Sequence, residues 1–373
     1  MKLPRVLTLV LAGGEGNRMG ALTEKRAKPA LRFGGVYSLI DFPLSNCAHS
    51  GLENIWVVEQ FQAHSLNHHL ANGRPWDLDR TYGGLQILPP QQGERESDWH
   101  QGNADALWRN RRFLAEFGAD LILVLSADAV YRFDYRDAIQ SHLERGAHVT
   151  MVTAQVEKEE ASRFGNVKIT PKGRVTKFEY KPENPISRDV TCEIFVYDAK
   201  ILLQTLDELA KRTGNPPEEA ELGDFGDELL PELVASGKAF AHPIGGYWRD
   251  VGTVESYFEA HQDWLQSVPP FELDDPQWPI WSHFKPRSSA RFEGEGYALN
   301  SLISPGCRIA GEVKNSILSP GVVVEAGARV DEAILLGDVT VKSGVMVRRA
   351  VVDENQTVKK SVDGGEKITV IGG

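Results

Sequence analysis

The chain has 373 residues, 41% hydrophobic and 25% charged, and a formal net charge of −11. That length exceeds one ordinary core, so two or more domains are expected, with the composition of a soluble globular protein. The acidic balance argues against non-specific binding to nucleic acid or to anionic membranes, while leaving room for a local basic pocket.

The opening MKLPRVLTLVLAGG has the short apolar run of a secretory signal. It is too brief to span a membrane and feeds straight into a glycine loop, so Val6–Ala12 reads as a buried parallel strand. Further strands are expected at Asn54–Val58, Leu121–Leu125, Val149–Thr153 and Ile194–Tyr197. Helices are expected at Ser65–Leu70, Ala104–Phe117, Tyr135–Arg145 and Leu202–Arg212. This alternation predicts an α/β domain over residues 1–266, its mostly parallel sheet covered on both faces. Residues 267–295 are proline-rich and aperiodic, which predicts a linker. After it, NSLISPG (300–306) recurs as NSILSPG (315–321), and AILLGD (333–338) and AVVDEN (350–355) follow at seventeen-residue steps. Apolar pairs and glycines at that period predict stacked β-coils over 296–373, too few for a binding solenoid and better suited to packing or oligomerisation. Cys47, Cys192 and Cys307 lie far apart, as reduced thiols of a cytoplasmic protein would, and no apolar run is long enough to cross a membrane.

The chemistry begins after the first strand, in LAGGEGNRMGALTEKRAKPA (11–30). Gly13, Gly14 and Gly16 allow a sharp turn that aims several N–H groups at one point, and such nests hold phosphate. Arg18, Lys25, Arg26 and Lys28 then supply four cations. A Walker loop is excluded because GxxxxGK[ST] is absent, and a hydride-transfer fold because no ribose-binding acid follows a second strand. Nucleotide phosphates met by cations, without redox chemistry, is the simpler inference.

LAGGEGNRM with KRAKPA resembles the start of sugar-nucleotide pyrophosphorylases, and in particular of the bacterial glucose-1-phosphate adenylyltransferases. Supporting matches run in order: IDFPLSNC (40–47), LPPQQ (88–92), WHQGNADA (99–106), LSADAVY (125–131), FGNV (164–167), YKP (180–182), DFG (224–226), YWRDVGT (247–253) and WPI (278–280). The resemblance implies a Rossmann-like nucleotidyltransferase domain and a C-terminal left-handed parallel β-helix. It implies attack by a sugar 1-phosphate on the α-phosphorus of ATP or another nucleoside triphosphate, with Mg²⁺ held by Asp128 and Asp250. Arg18, Lys28 and Asp128 match the catalytic positions. Leu11, Ala12, Gly13, Gly14, Gly16, Gln92, Gly102 and Asp105 match the nucleotide site. Gly165, Lys181, Glu193, Phe225, Trp248 and Asp250 match the sugar-phosphate site. A cytoplasmic homotetramer under the control of a small metabolite would follow, with Lys25 at a position tied to activator response.

Four departures qualify this. Asn103 stands for a threonine. The family's GDH or ADH is Ala127-Asp128-Ala129, its EKP is Tyr180-Lys181-Pro182, and its SMG is Thr191-Cys192-Glu193. The phosphate and metal positions are thus kept while the sugar pocket is rewritten. Three readings stand: an adenylyltransferase acting on glucose 1-phosphate, an enzyme for a different sugar phosphate such as glucosamine 1-phosphate, or a non-catalytic regulatory subunit of a mixed oligomer.

Overall fold

The computed structural model describes residues 4–14, 16–89, 102–216 and 219–372. At its centre four parallel strands run in the order Gly84–Leu88, Asn54–Glu59, Val6–Ala12, Leu121–Ser126. Val6–Ala12 is buried almost throughout, with Leu9 between Trp56 and Val124. A strand covered on both faces needs a continuous apolar run rather than an alternating one, which is why VLTLVLA is legible as a central strand.

Beyond Leu121–Ser126 the sheet changes direction. Asp189–Asp198 runs antiparallel to it and also to Val149–Gln155 and Gly165–Ile169. The preceding segment, Gly165–Ile169 with Val175–Tyr180, is an antiparallel pair rather than a helical crossover. Only a crossover could return the chain in parallel. Ala239–Pro243 pairs in parallel with Val149–Gln155 and completes nine strands among the described residues.

All four expected helices form, extending at their starts to Ala63–Leu70, Asn103–Phe117 and Ala199–Arg212, with Tyr135–Arg145 as read. Local chemistry sets their ends. Asp134 and Asp198 cap two N-termini by accepting from Arg136 N and Ile201 N, and Gly146 ends one helix in the left-handed region. No helix among the described residues is long and apolar enough to cross a membrane. All three cysteines are free and buried.

The C-terminal stretch stacks parallel coils whose register follows the sequence repeat: Leu302 faces Ile317, Ile317 faces Ile334 and Ile334 faces Val351. Cys307, Ile309, Val324, Val341 and Val347 fill the interior. Coil pairing starts at Arg291–Phe292, which lies beside Arg308–Ile309, so the coils begin inside the stretch read as linker. One face of the stack is not exposed. Ile334, Leu336 and Val351 share an apolar cluster with Met19, Leu22 and Phe33 of the α/β half, and Arg26 pairs with Asp353 at 2.8 Å.

Candidate active site

The carboxyl ends of Val6–Ala12, Asn54–Glu59 and Leu121–Ser126 open onto one cleft, as expected where open α/β sheets bind ligands. Leu11, Ala12, Gly13 and Gly14 form one wall. Gly16 turns the chain at φ 70°, a conformation that favours glycine, and leads into the short helix Asn17–Thr23. Thr23 secures the turn by donating its hydroxyl to Gly16 O at 2.9 Å.

The acids meet on a two-stranded ribbon. Asp250 of Trp248–Asp250 is opposite Ala129 of Ala129–Tyr131, and Val251 N donates to Asp128 O at 3.3 Å, so the backbone sets the two aspartates side by side. Lys28, only 7% exposed, donates to Asp128 Oδ2 at 2.6 Å, and Ser126 donates its hydroxyl to Asp128 Oδ1. Burial acts to raise the Asp128 carboxyl, but Lys28 and Ser126 outweigh it and hold the group below its ordinary value. Burial acts to lower the Lys28 ammonium, and Asp128 with Asp250 outweighs it and raises the group. Asp250 accepts at Oδ2 from Arg163 and from Gly252 N, both at 3.0 Å. Burial keeps its carboxyl above the ordinary value, opposed by Lys28 and assisted by the neighbouring Asp128. Arg18 reaches the same cleft.

Asp128 caps no helix, since it joins two strands, and Arg249 turns from Asp250 to Glu259 and Asp263.

Opposite lie Tyr180, Lys181, Glu193 and Asp224. The Tyr180 hydroxyl donates to Asp224 Oδ2 at 2.9 Å and accepts from Lys181 Nζ at 2.6 Å. Lys181 and Glu193 both hold left-handed backbone angles, φ 43° and 55°. Phe225 closes the floor, edge-on to Phe195.

Other expected residues take different places. Asp105 is fully buried and turned into the protein, accepting from Leu222 N at 3.2 Å and from Arg109 at 2.7 Å. It steadies the 222–224 loop from within and does not face the cleft, which corrects its assignment to the nucleotide site. Gly102 does line the cleft, and a Cβ there would fall 2.5 Å from the Gly223 carbonyl carbon. Gly165 packs under Phe178 and Thr191 and pairs with Tyr180, so it acts as a support. Trp248 lies edge-on to Phe164, whose carbonyl accepts from Lys181 N. Both residues support the wall that carries Tyr180 and Lys181 without lining the cleft. Gln92 lies outside the described residues. Arg163, Ser126 and Asp224 escaped the sequence reading as site residues; the first precedes FGNV, and the other two sit inside quoted motifs.

The family description "Nucleotidyl transferase" matches residues 7–267, and "GlmU-like, C-terminal hexapeptide" matches 288–369. The chain is 44% identical over 327 residues to the glucose-1-phosphate adenylyltransferase of Thermotoga neapolitana, covering 87% of this chain and 76% of that one. It is 39% identical to the enzymes of the same name from Halalkalibacterium halodurans (87% of this chain, 84% of that one) and Clostridium perfringens (89% and 83%). The chain belongs to the glucose-1-phosphate adenylyltransferase family. It is accordingly a nucleotidyltransferase with a Rossmann-like catalytic domain and a left-handed parallel β-helix. Where the resemblance expects phosphate contacts the cleft carries the expected cations and acids, and where it expects sugar contacts it carries Tyr180 and Glu193 in place of the usual glutamate and glycine.

Proposed function

We propose that the chain transfers the adenylyl group of ATP to a hexose 1-phosphate, with release of pyrophosphate. The relatives' names point to glucose 1-phosphate as the acceptor. The observation that carries the reading is the buried Lys28–Asp128 pair, set beside Asp250 and facing the glycine turn. The reaction gathers negative charge on phosphate oxygens, so it needs fixed cations and in-line positioning more than a strong base. Lys28 and Arg18 meet triphosphate oxygens, the Gly13–Gly14 turn offers backbone donors, and Lys181 orients the sugar phosphate.

The donor set suits Mg²⁺. Asp128 and Asp250 offer hard oxygens, and no group of three or more His, Cys, Asp or Glu able to hold a metal occurs among the described residues. Mg²⁺ accepts such a sparse protein site because it keeps waters and takes phosphate oxygens as its other ligands. When bound there, the ion would neutralise phosphate charge and align the reacting groups.

The same reading includes control by an anionic metabolite at the junction of the two halves. Arg26, Arg32, His64, His283, Lys285 and Arg287 line a pocket there. It also includes assembly as a homotetramer in the cytoplasm, for which Tyr297 and Leu299 on the first coil offer exposed apolar surface. The deciding experiment is pyrophosphate release from ATP and glucose 1-phosphate by pure, Mg²⁺-replete protein. Release is expected. Silence with every hexose 1-phosphate and nucleotide would favour the non-catalytic subunit, and sedimentation checks the tetramer.

A further inference from the structure

Glu193 interrupts a strand that is otherwise buried from Val190 to Tyr197. Thr191 pairs with Thr153 and Phe195 with Met151, but the register shifts between them, so Glu193 sits on a bulge. Bulges re-aim side chains, and this one takes φ 55°, where any residue but glycine is strained. The side chain consequently lines the cleft between two groups. Lys28, Asp128 and Phe225 lie on one side, and Tyr180, Lys181 and Asp224 on the other.

The carboxylate has no matched partner. No hydrogen bond or ion pair from another described residue reaches it, and the nearby cations are engaged elsewhere. Lys28 is held by Asp128, Arg163 by Asp250 and Lys181 by the Tyr180 hydroxyl. Burial, with Asp128, Asp250 and Asp224 nearby, pushes its carboxyl up to about 7, and Lys181 opposes them. A strained, unpaired acid beside other acids is a cost to the free protein, and a ligand group can offset it only by being cationic or a strong donor. A neutral hydroxyl offers one hydrogen bond. An ammonium offers donors and charge together.

We propose that Glu193 sets the sugar preference of this cleft, selecting a hexose 1-phosphate that carries an ammonium group over its neutral counterpart. This rests on the adenylyl-transfer reading and names the acceptor class within it. The ammonium comes from the sugar and meets Glu193 in the bound complex, while the 1-phosphate is held by Lys181 and the catalytic cations. Tyr180 belongs to the same arrangement. Its hydroxyl ties Lys181 to Asp224.

The test measures kcat/KM with glucosamine 1-phosphate, glucose 1-phosphate and N-acetylglucosamine 1-phosphate for the wild-type chain, Glu193→Gln and Glu193→Gly. Equilibrium dialysis of the same three sugars supplies a readout independent of turnover. In the wild-type chain glucosamine 1-phosphate is expected to be preferred, and the acetylated sugar, which lacks the charge, to be poorest. Glu193→Gln should lower the glucosamine-to-glucose ratio by about tenfold or more, the scale of a lost charge-assisted contact. Glu193→Gly relieves the backbone strain, so it folds if any variant does, and should lower the ratio as well. An unchanged ratio, or an equal gain with both sugars in the glycine variant, overturns the proposal and makes Glu193 a simple obstruction. Silence with all sugars overturns the adenylyl-transfer reading instead, and dialysis then still decides whether Glu193 discriminates between them.

Discussion

The two sides of the cleft are built on opposite principles. On the side of the glycine turn the two aspartates are answered: Asp128 by Lys28 and Ser126, Asp250 by Arg163 and Gly252 N. The parallel strand ends and the Ala129–Tyr131 ribbon supply that geometry. On the sugar side the backbone is bent into left-handed angles at Lys181 and Glu193, and the acid is left open. A neutralised, preorganised surface suits chemistry common to a whole family, since fixed charges cost little reorganisation in the transition state. Strain and an unmatched charge suit discrimination, because only some ligands can relieve them.

The sharpest way to break the comparison is Asp128→Asn. It keeps the shape of the residue but removes the charge, and kcat should fall about 10³-fold, near the top of what one preorganised group supplies. Steady-state pyrophosphate release checks it, and survival of most of the activity would move the catalytic acid elsewhere. Next in size is Ile334→Ala, which lies in neither wall. It should destabilise the chain by about 2–5 kcal/mol in chemical denaturation, because it opens a cavity in the cluster behind the glycine turn. If stability is unchanged, the coils do not support the catalytic half.

A pH titration of stability separates structural burial from either wall. His261 is fully buried, bonded through Nδ1 to Tyr257 O, and its Nε2 accepts from Gly34 N, so the ring is neutral in the fold. Burial lowers it to about 4, and lowers His142 likewise to about 4. Each ring takes up its proton in the unfolded chain first, so the stability it contributes is full above about pH 6.5. That stability is then lost as pH falls towards about 4, at about 1.4 kcal/mol per unit for each ring. Urea midpoints at pH 7 and pH 5 measure it, and His261→Gln should flatten the slope.

The smaller effects sharpen the sugar side. Tyr180→Phe removes the link between Lys181 and Asp224 and should raise KM for the sugar phosphate about tenfold, more than it lowers kcat, as loss of one or two hydrogen bonds to charged groups does. Equal losses in both would place Tyr180 in the transition state. Glu193→Gly should stabilise the empty protein by about 1 kcal/mol, the cost of a left-handed residue with a Cβ, and thermal melts without ligand read it.

Much of the phosphate side was legible because it is local in sequence. A buried strand, a glycine turn and nearby cations sit within residues 6–28, and periodicity alone places the main helices and the repeats. What the pattern hid depends on distant pairing. Arg163 becomes a partner of Asp250 only when the ribbon forms, and Asp105 turns inward because Leu222 N and Arg109 claim it. Asp41–His49 lacks a clean amphipathic period because its buried residues lie on more than one face. The strands Gly165–Ile169 and Val175–Tyr180 are short and half-polar, so they carry no clear strand pattern.

The shared cluster of Met19 and Leu22 with Ile334 and Val351 also sets an order of events during synthesis. Strands of the catalytic sheet emerge first and can pair while the chain is still growing, but the surface against which the glycine turn rests is among the last parts made. At ribosomal rates of about 5–20 residues per second, roughly a hundred residues separate those moments by on the order of ten seconds. A nascent chain in that interval has its sheet strands made but lacks the coils that pack against Met19 and Leu22.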